Sequence, residues 1–282
     1  MSSSPLSSAD AARKSIAKRL RELRLDAGLT TQGLADRCQW SKSKTSRIET
    51  IKTNPSDADI RSWCEACEAQ DQAADLIAAS RGAESMYVEW RRLQRTGLRR
   101  LQESTVPLYE RTERFRVYCS RVVPGTLQTE GYAYALLSSI AAFRGIPDDA
   151  QEAARARVER SKVLHRRGHS FAFLIEEDVL YYRHGDARTM AAQLGHLATV
   201  TGLPNVSLGV IPRTAPRAMW GQETFTMFDD SQVHVELLTA RVTVSQPSEV
   251  LTYARAFAAL SKMAVHGAEA RSMISAAIDS LG

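Results

Sequence analysis

Residues 41–47 concentrate side chains that donate hydrogen bonds, namely Ser41, Lys42, Ser43, Lys44, Ser46 and Arg47. At helical spacing, Lys42, Ser43 and Ser46 share one exposed face, with Arg47 at its border. Lysine and arginine can donate to O6 and N7 of guanine in the major groove, and serine can donate or accept. The segment therefore predicts a helix that contacts the base edges of double-stranded DNA.

A second set of residues must hold that helix in place. Thr45 and Ile48 lie on its opposite face and are expected to pack against Leu34, Ala35 and Trp40. This division predicts a helix with one buried face and one face that is rich in donors.

Capping residues predict where the two helices of this segment begin. Thr30 stands at the N-cap of the first helix, which ends near Cys38, and Ser41 stands at the N-cap of the second. Thr30 and Thr31 can also present a hydroxyl and backbone N–H groups to a DNA phosphate. The expected unit is two short helices joined by a tight turn.

The distribution of charge favours a polyanionic partner for the first part of the chain. Residues 11–52 carry eleven Lys or Arg against four Asp or Glu, whereas residues 168–282 carry eight against eleven. A basic segment joined to a mildly acidic one suggests that the two parts have different partners. The alternative for residues 42–47 is the solvated face of an ordinary helical bundle.

Hydrophobic periodicity predicts an all-α first domain over residues 11–80. Apolar residues at helical spacing run through residues 16–27 and start again at Leu34. Ser56 followed by Asp59 forms an acidic variant of the capping box and opens a further helix. Residues 81–105 are expected to form a helical connector.

Shorter apolar runs predict a mixed α+β second domain over residues 106–282. Strands are expected at 114–120, 171–175, 206–211, 225–228 and 233–238. Helices are expected at about 127–142, 148–166 and 186–201, and after an N-cap at Ser248 with a break at Gly267. A chain of 282 residues can hold two domains that each bury a core.

Residues 29–49 resemble the lambda-repressor-like, xenobiotic-response-element class of helix-turn-helix proteins. The resemblance is carried by residues 40–49 together with Leu29, Thr30, Leu34 and Ala35. It implies that residues 41–49 form the recognition helix. Two positions depart from the family pattern, because Gln39 replaces the usual turn glycine and Thr31 replaces the usual glutamine.

The second domain resembles the C-terminal domain of the WhiJ-like actinobacterial regulators. The resemblance is carried by residues 123–133, 154–164 and 204–212, and by Gly221 with Phe225. Members of that family are DNA-binding regulators, often described as antitoxin-like and commonly encoded beside a small partner protein of the BldB-associated kind. The resemblance implies a regulatory role and no catalytic residues.

The sequence contains no pattern typical of export or membrane insertion. Residues 1–10 lack the basic and apolar regions of a secretory signal, and the longest stretch without Asp, Glu, Lys or Arg contains Gly202 and Pro204. The four cysteines fall in segments that are expected to form the core. These observations predict a cytoplasmic protein with reduced thiols.

Three patterns suggest other chemistry. Cys64 and Cys67 are spaced as in a thioredoxin motif, but the helix that contains them is expected to begin well before them, at Ser56. A zinc site lacks a second pair of ligands, and the segment 165–169 lacks the acidic partner of a zincin helix. A magnesium-dependent nuclease would need acidic ligands, for which the candidates are Glu176, Glu177, Asp178, Glu223, Asp229, Asp230 and Glu236.

The spacing of these acids is not diagnostic, so no catalytic residue, metal or cofactor is predicted. A metal-dependent nuclease or toxin-like enzyme in the second domain is kept as the alternative function. The loop at residues 212–221 carries Met219 and Trp220, which either stay exposed to bind a partner or effector or fold onto the core. The sequence thus predicts a transcription regulator that forms a homodimer on a two-fold operator. Its second domain is expected to bind a small protein encoded nearby or an effector.

Overall fold

The computed structural model of the chain describes residues 5–82, 87–94, 97–221 and 223–282. The chain divides into two compact units. The first comprises Met1–Tyr87 with Val244–Glu249, and the second comprises Val88–Thr243 with Val250–Gly282. Each unit buries an apolar cluster of its own.

The first unit is helical over its described residues. Its helices are α1 (Pro5–Asp26), α2 (Thr31–Arg37), α3 (Lys42–Glu49), α4 (Asp57–Ala66) and α5 (Ala73–Gly82). A 3-10 turn at Gln70–Gln72 precedes α5.

Short polar side chains begin these helices, and the predicted caps are confirmed. The side-chain oxygens of Thr30 and Ser41 each accept the backbone N–H three residues further on, at 3.0 and 3.3 Å. Ser56 and Asp59 form the expected reciprocal capping box. Gly28 follows α1 with a left-handed φ of 68°, which a glycine adopts without a steric penalty.

The core of the first unit closes around Trp63. Its indole is fully buried and donates a hydrogen bond from Nε1 to the carbonyl oxygen of Leu20 at 2.9 Å. Leu20, Leu34, Ile48 and Ile60 are also fully buried and come from four different helices. α1 to α4 therefore each direct an apolar face at one shared core.

An ion pair lies buried between the ends of α1 and α3. The Nε and Nη2 atoms of Arg24 donate to the two carboxylate oxygens of Glu49 at 2.6 and 3.1 Å, and Nη1 donates to the carbonyl oxygen of Leu29 at 2.6 Å. The Arg24 and Glu49 side chains are only 7% and 9% exposed. Because these charges satisfy each other inside the protein, the pair ties α1 to α3 and to the start of α2.

A sheet runs through the second unit. Its strands are β1 (Tyr87–Glu89), β2 (Arg114–Cys119), β3 (Ser170–Glu176), β4 (Val206–Ile211), β5 (Phe225–Phe228), β6 (Gln232–Glu236) and β7 (Ala240–Val244). Their order across the sheet is β1-β7-β6-β5-β2-β3-β4.

The sheet is mixed. β2, β3 and β4 are parallel, with Phe115 opposite Phe171 and Phe171 opposite Val206. β5 pairs antiparallel with both β2 and β6, and a tight turn at residues 229–231 joins β5 to β6. Parallel pairing requires crossover connections, and long helical segments supply them between β2 and β3 and between β3 and β4.

Helices pack on this sheet and on one another. They are α6 (Trp90–Leu93), α7 (Leu98–Ser104), α8 (Val106–Arg111), α9 (Glu130–Arg144), α10 (Ala150–Ser161), α11 (Ala187–Val200), α12 (Pro247–Ser261) and α13 (Gly267–Asp279). α13 packs against α11 and β4, whereas α10 packs against α7 and α9. No helix in the described part of the chain is long and apolar enough to cross a membrane.

The predicted fold class is confirmed, since a helical first unit is followed by a mixed α/β domain. All five predicted strands form, with ends that shift by at most two residues at β6. The sequence pattern does not predict β1, β7 or α8, and the expectation of an entirely helical connector over residues 81–105 is wrong at β1. In β7 only Ala240 and Val244 are buried and the three residues between them are half-buried, so the strand lacks an alternating signal.

The predicted N-cap at Ser248 is wrong. α12 begins at Pro247, whose fixed φ suits the first position of a helix. The backbone N–H of Ser248 donates instead to Oδ1 of Asp75 at 3.1 Å, and its hydroxyl donates to the same carboxylate. Asp75 is distant in the sequence, so no local pattern could reveal this contact.

Replacing Arg24 with methionine should destabilise the first unit. Glu49 would then be buried without a cation, and breaking a buried ion pair costs about 3–5 kcal/mol. Thermal unfolding of the full chain measures the loss. Arg21→Met is the matched control, because Arg21 is exposed on the same helix. Equal unfolding temperatures for the two variants would contradict this role of the pair.

Candidate nucleic-acid interface

The turn between α2 and α3 forms without a glycine. Gln39 adopts a left-handed φ of 57°, the conformation for which the family pattern uses glycine. The N–H of Cys38 donates to the Leu34 carbonyl at 2.9 Å, and that of Trp40 donates to the Ala35 carbonyl at 3.0 Å. The backbone strain at Gln39, about 1–2 kcal/mol for a residue other than glycine, is offset by this bonding and by the packing of both helices.

The buried face of α3 is the one that the sequence predicts. Thr45 and Ile48 are almost completely inaccessible to solvent. The Thr45 hydroxyl oxygen accepts a hydrogen bond from Nε1 of Trp40 at 2.9 Å, and Trp40 in turn contacts the ring of Trp63. These contacts fix the rotation of α3 about its own axis.

That rotation leaves a donor-rich face in solvent. The exposed side chains of this face are Lys42, Ser43, Ser46 and Arg47, and Ser41 is exposed at the start of the helix. No salt bridge engages the ammonium of Lys42 or the guanidinium of Arg47 within the described chain. Both cations are therefore free to contact an external anion or a base edge.

Lys44 differs from the other predicted DNA contacts. Its Nζ lies 2.5 Å from Oδ1 of Asp59 on α4 and 4.5 Å from the centre of the Trp40 ring. Burial raises the pKa of the Asp59 carboxyl, but hydrogen bonds from Lys44 and Ser56 outweigh that effect and lower the pKa below its ordinary value of 3.8. Lys44 thus fastens α3 to α4.

Thr30 and Thr31 lie at the start of α2, as expected. The Thr30 side-chain oxygen is already occupied by the N–H of Gly33 at 3.0 Å, and Thr31 is half-buried. These two residues therefore lie at the opposite end of α2 from the turn that leads into α3, and they are not part of the exposed face of α3.

Charge is divided within the first unit. Residues 11–52 are strongly basic, whereas residues 53–82 carry six Asp or Glu against two Lys or Arg. Lys14, Lys18 and Arg21 are exposed on α1. The basic character therefore belongs to α1 and α3, and the acidic character belongs to α4 and the short segment after it, whereas α2 and α5 each carry one acid and one base.

The second unit is less acidic than its last part suggests. Residues 106–282 carry nineteen Lys or Arg against eighteen Asp or Glu, because residues 106–167 are rich in arginine. The acidity expected from residues 168–282 therefore does not describe the domain as a whole.

The loop between β4 and β5 carries the predicted partner residues. Trp220 is 64% exposed, whereas Met219 is half-buried. The sequence left two alternatives for these residues, exposure to solvent or burial against the core. Trp220 is exposed, as in the first alternative, whereas Met219 is partly buried.

Arginines engage several acids on which the nuclease alternative depends. Arg217 binds both carboxylate oxygens of Glu176 at 2.9 and 2.8 Å, and Arg213 pairs with Asp178. Asp230 pairs with Arg114 and Arg116, each at 2.5 Å. Among the described residues, no three His, Cys, Asp or Glu side chains come together in a way that could hold a metal ion.

The cysteines of the first unit lie in its core. Cys64 and Cys67 are buried in and at the end of α4, which begins after Ser56 as predicted. Burial raises the pKa of the Cys67 thiol and that of the Cys38 thiol to about 11. Thiols with such a high pKa stay protonated at neutral pH, which makes them poor nucleophiles.

The sequence does not predict that Arg24 and Glu49 pair and thereby orient this surface. Both are charged residues in a basic segment, and their spacing of 25 residues matches no helical or capping pattern. The only available signal was that each falls on or beside an apolar stripe.

Two family matches describe the chain. Residues 15–77 match a family described as a helix-turn-helix domain, which defines the class of the first unit. Residues 103–276, more than half of the chain, match the family described as "Domain of unknown function (DUF5753)". The chain belongs to that DUF5753 family. No curated protein matches the chain.

Replacing Lys44 with methionine should lower stability by about 1 kcal/mol at neutral pH, because Asp59 would lose its cation in a partly exposed site. The lowered pKa of Asp59 contributes stability above pH 3.8 that is lost as the pH falls through the lower, folded-state pKa. The difference from wild type should therefore shrink in acid, leaving only the contact between Lys44 and the Trp40 ring. Lys42→Met is the control, and thermal unfolding as a function of pH is the measurement. An undiminished difference in acid would argue against this pairing.

Proposed function

We propose that the chain is a sequence-specific, DNA-binding transcription regulator that inserts α3 into the major groove. The observation that carries this proposal is the division of α3, in a helix-turn-helix domain, into a face fixed by Thr45 and Ile48 and an opposite face of free donors. A recognition helix needs both properties, since a rigid scaffold must hold side chains at the base edges.

The proposed contacts divide into two classes. Arg47 and Lys42 donate to guanine, and Ser43 and Ser46 adapt to neighbouring bases. Thr30, Thr31 and Ser41 lie at helix starts and position the protein on phosphates. Lys44 belongs to neither class in the free protein, because Asp59 holds its ammonium.

Arg47→Ala should relax discrimination at one base pair at a cost of about 1–3 kcal/mol. Lys14→Ala should instead weaken binding to all sequences alike and reduce the slope of log affinity against log salt by about one unit. Fluorescence anisotropy on an operator and its point variants measures both effects. The exposed Arg271 lies on α13 in the second unit, so Arg271→Ala is the control. Equal loss on every sequence for Arg47→Ala would remove its base-reading role.

We further propose that the protein binds a two-fold operator as a homodimer. A single recognition helix reads few base pairs, and dimers of this class place half-sites about 34 Å apart, one helical turn of DNA. The proposed assignment of roles follows the domains, with DNA binding in residues 11–80, a connector in 81–105 and oligomerisation or regulation in 106–282.

Half-site spacing tests the dimer. Inserting about 5 base pairs between the half-sites should weaken binding sharply because it rotates one half-site to the opposite side of the duplex, whereas inserting about 10 should restore the phase. Sedimentation of the full chain with DNA should give two chains per duplex. Binding that is indifferent to the 5-base-pair insertion, with one chain per duplex, would refute the dimer.

A finer assignment rests on the resemblance of the sequence. We propose that the protein is a cytoplasmic regulator of the xenobiotic-response-element, WhiJ-like and antitoxin-like kind, whose second domain docks a small protein encoded nearby. The exposure of Trp220 supports this role, because a large apolar side chain in solvent suits the anchor of an interface, with Met219 beside it.

A further inference from the structure

The second unit contains a cavity of about 270 Å³. Its walls come from β2, β5, β6 and β7 on one side and from α6, α7, α9 and α10 on the other. This volume lies just below the range of about 300–1,000 Å³ that is typical of pockets for drug-sized ligands. The cavity therefore suits a small organic molecule.

Cations outnumber anions in the cavity wall. Its arginines are Arg144, Arg157, Arg160 and Arg241, and the carboxylate among the described lining residues is Glu236. Salt bridges are found elsewhere in the described chain, but none joins these arginines to a carboxylate. The wall thus carries an excess of positive charge.

Neutral groups orient two of these arginines. Arg157 donates to the side-chain oxygens of Gln102 and Gln128 at 3.1 and 2.6 Å. Arg160 donates to the oxygen of Gln102 at 3.0 Å and to the Thr105 hydroxyl at 2.7 Å. Amide and hydroxyl oxygens fix the direction of a guanidinium group but do not neutralise its charge.

Burial disfavours the charged state of Arg157 and Arg241, and the opposing effect of the Glu236 carboxylate is smaller. Burial, together with the positive charge of Arg160, lowers the pKa of Arg157 to about 10. Burial also lowers the pKa of Arg241 below its ordinary value. A folded protein tolerates cations in such surroundings when an anion or a set of hydrogen bonds compensates for the lost water.

Two further polar atoms at the cavity lack a partner. Gln94 is only 3% exposed, and its Oε1 has no hydrogen-bond donor within the described structure. The Nε of Arg160 is likewise buried without an acceptor. Both residues line the cavity. The Nε–H of Arg160 is thus left for an acceptor atom of a ligand, such as a carboxylate or phosphate oxygen.

The remaining wall is apolar and aromatic. Leu98, Leu136 and Ile140 contribute aliphatic surface, and Tyr109 and Phe228 contribute rings that pack edge to face. An inorganic ion would leave this surface against water, whereas an organic body would cover it. The cavity therefore combines a cationic part with an apolar part.

We propose that this cavity binds a small organic acid, with its carboxylate or phosphate among Arg157, Arg160 and Arg241 and its apolar body against the leucines and rings. The site lies within the second unit, and its proposal goes beyond the DNA-binding function and does not depend on it. It assigns a ligand class to the domain that the DUF5753 family leaves without a function.

The probes are benzoate and phenyl phosphate, with benzamide as the uncharged analogue and inorganic phosphate as the anion without an apolar body. Calorimetric titration and thermal unfolding of the full chain measure binding. Benzoate, phenyl phosphate or both should raise the unfolding temperature in a saturable manner, and which of them does so identifies the head group. Benzamide and inorganic phosphate should bind at least about tenfold more weakly than the better organic anion.

Arg241→Met tests the site directly, because the Arg241 side chain forms no salt bridge or hydrogen bond within the described residues, so the substitution breaks no such contact. The variant should bind the better organic anion at least about tenfold more weakly. Without a probe it should unfold at about the same temperature as wild type, because the lost attraction to Glu236 is offset by removal of a partly buried cation. The exposed Arg271→Met should match wild type in both measurements.

Three results would overturn the proposal. The first is that neither organic anion binds at about 10 mM, a concentration at which even a millimolar ligand stabilises measurably. The second is that inorganic phosphate binds as tightly as phenyl phosphate. The third is that Arg241→Met and Arg271→Met respond equally to the probes, which would indicate a general ionic effect. These experiments involve no DNA, so their failure is distinct from failure of the DNA-binding proposal.

Discussion

The buried ion pair between Arg24 and Glu49 is the contact on which the first unit depends. It joins the last turn of α1 to the last turn of α3, and the same guanidinium holds the Leu29 carbonyl just before α2. Apolar packing around Trp63 supplies most of the burial, but such packing is non-directional. The bidentate pair adds direction and so determines where the exposed donors of α3 face.

Arginine has contrasting roles in the two units. In the first unit, Arg24 pairs with the Glu49 carboxylate, and this ion pair holds α1 and α3 together. On the surface of the second unit, Arg217 likewise neutralises Glu176. The arginines of the cavity form hydrogen bonds only with neutral groups or with none in the described chain, and Glu236, the carboxylate of the described wall, offsets only part of their charge. The presence or absence of a carboxylate separates structural arginines from candidates for binding.

The two units are suited to different kinds of recognition. The first presents short side chains on a rigid helix, which suits the flat edges of base pairs in a groove. The second encloses a cavity between a mixed sheet and helices, which suits a molecule small enough to be surrounded. A chain with both features can combine DNA binding with ligand binding, and each activity can be measured separately.

The sequence by itself determined the features that depend on neighbouring residues. Thr30, Ser41 and Ser56 marked helix starts, and the periodicity of residues 42–48 separated the buried face of α3 from the exposed one, because caps and periodicity act within one or two turns. Only the tertiary structure decided which charges meet. In the sequence, Lys44 is indistinguishable from its exposed neighbours, but in the folded chain it pairs with Asp59. The cavity is likewise lined by arginines that lie as far apart in the chain as Arg144 and Arg241. Ion pairs and cavities bring together residues that are far apart in the chain, and the spacing of residues along the sequence does not show which of them come close in space.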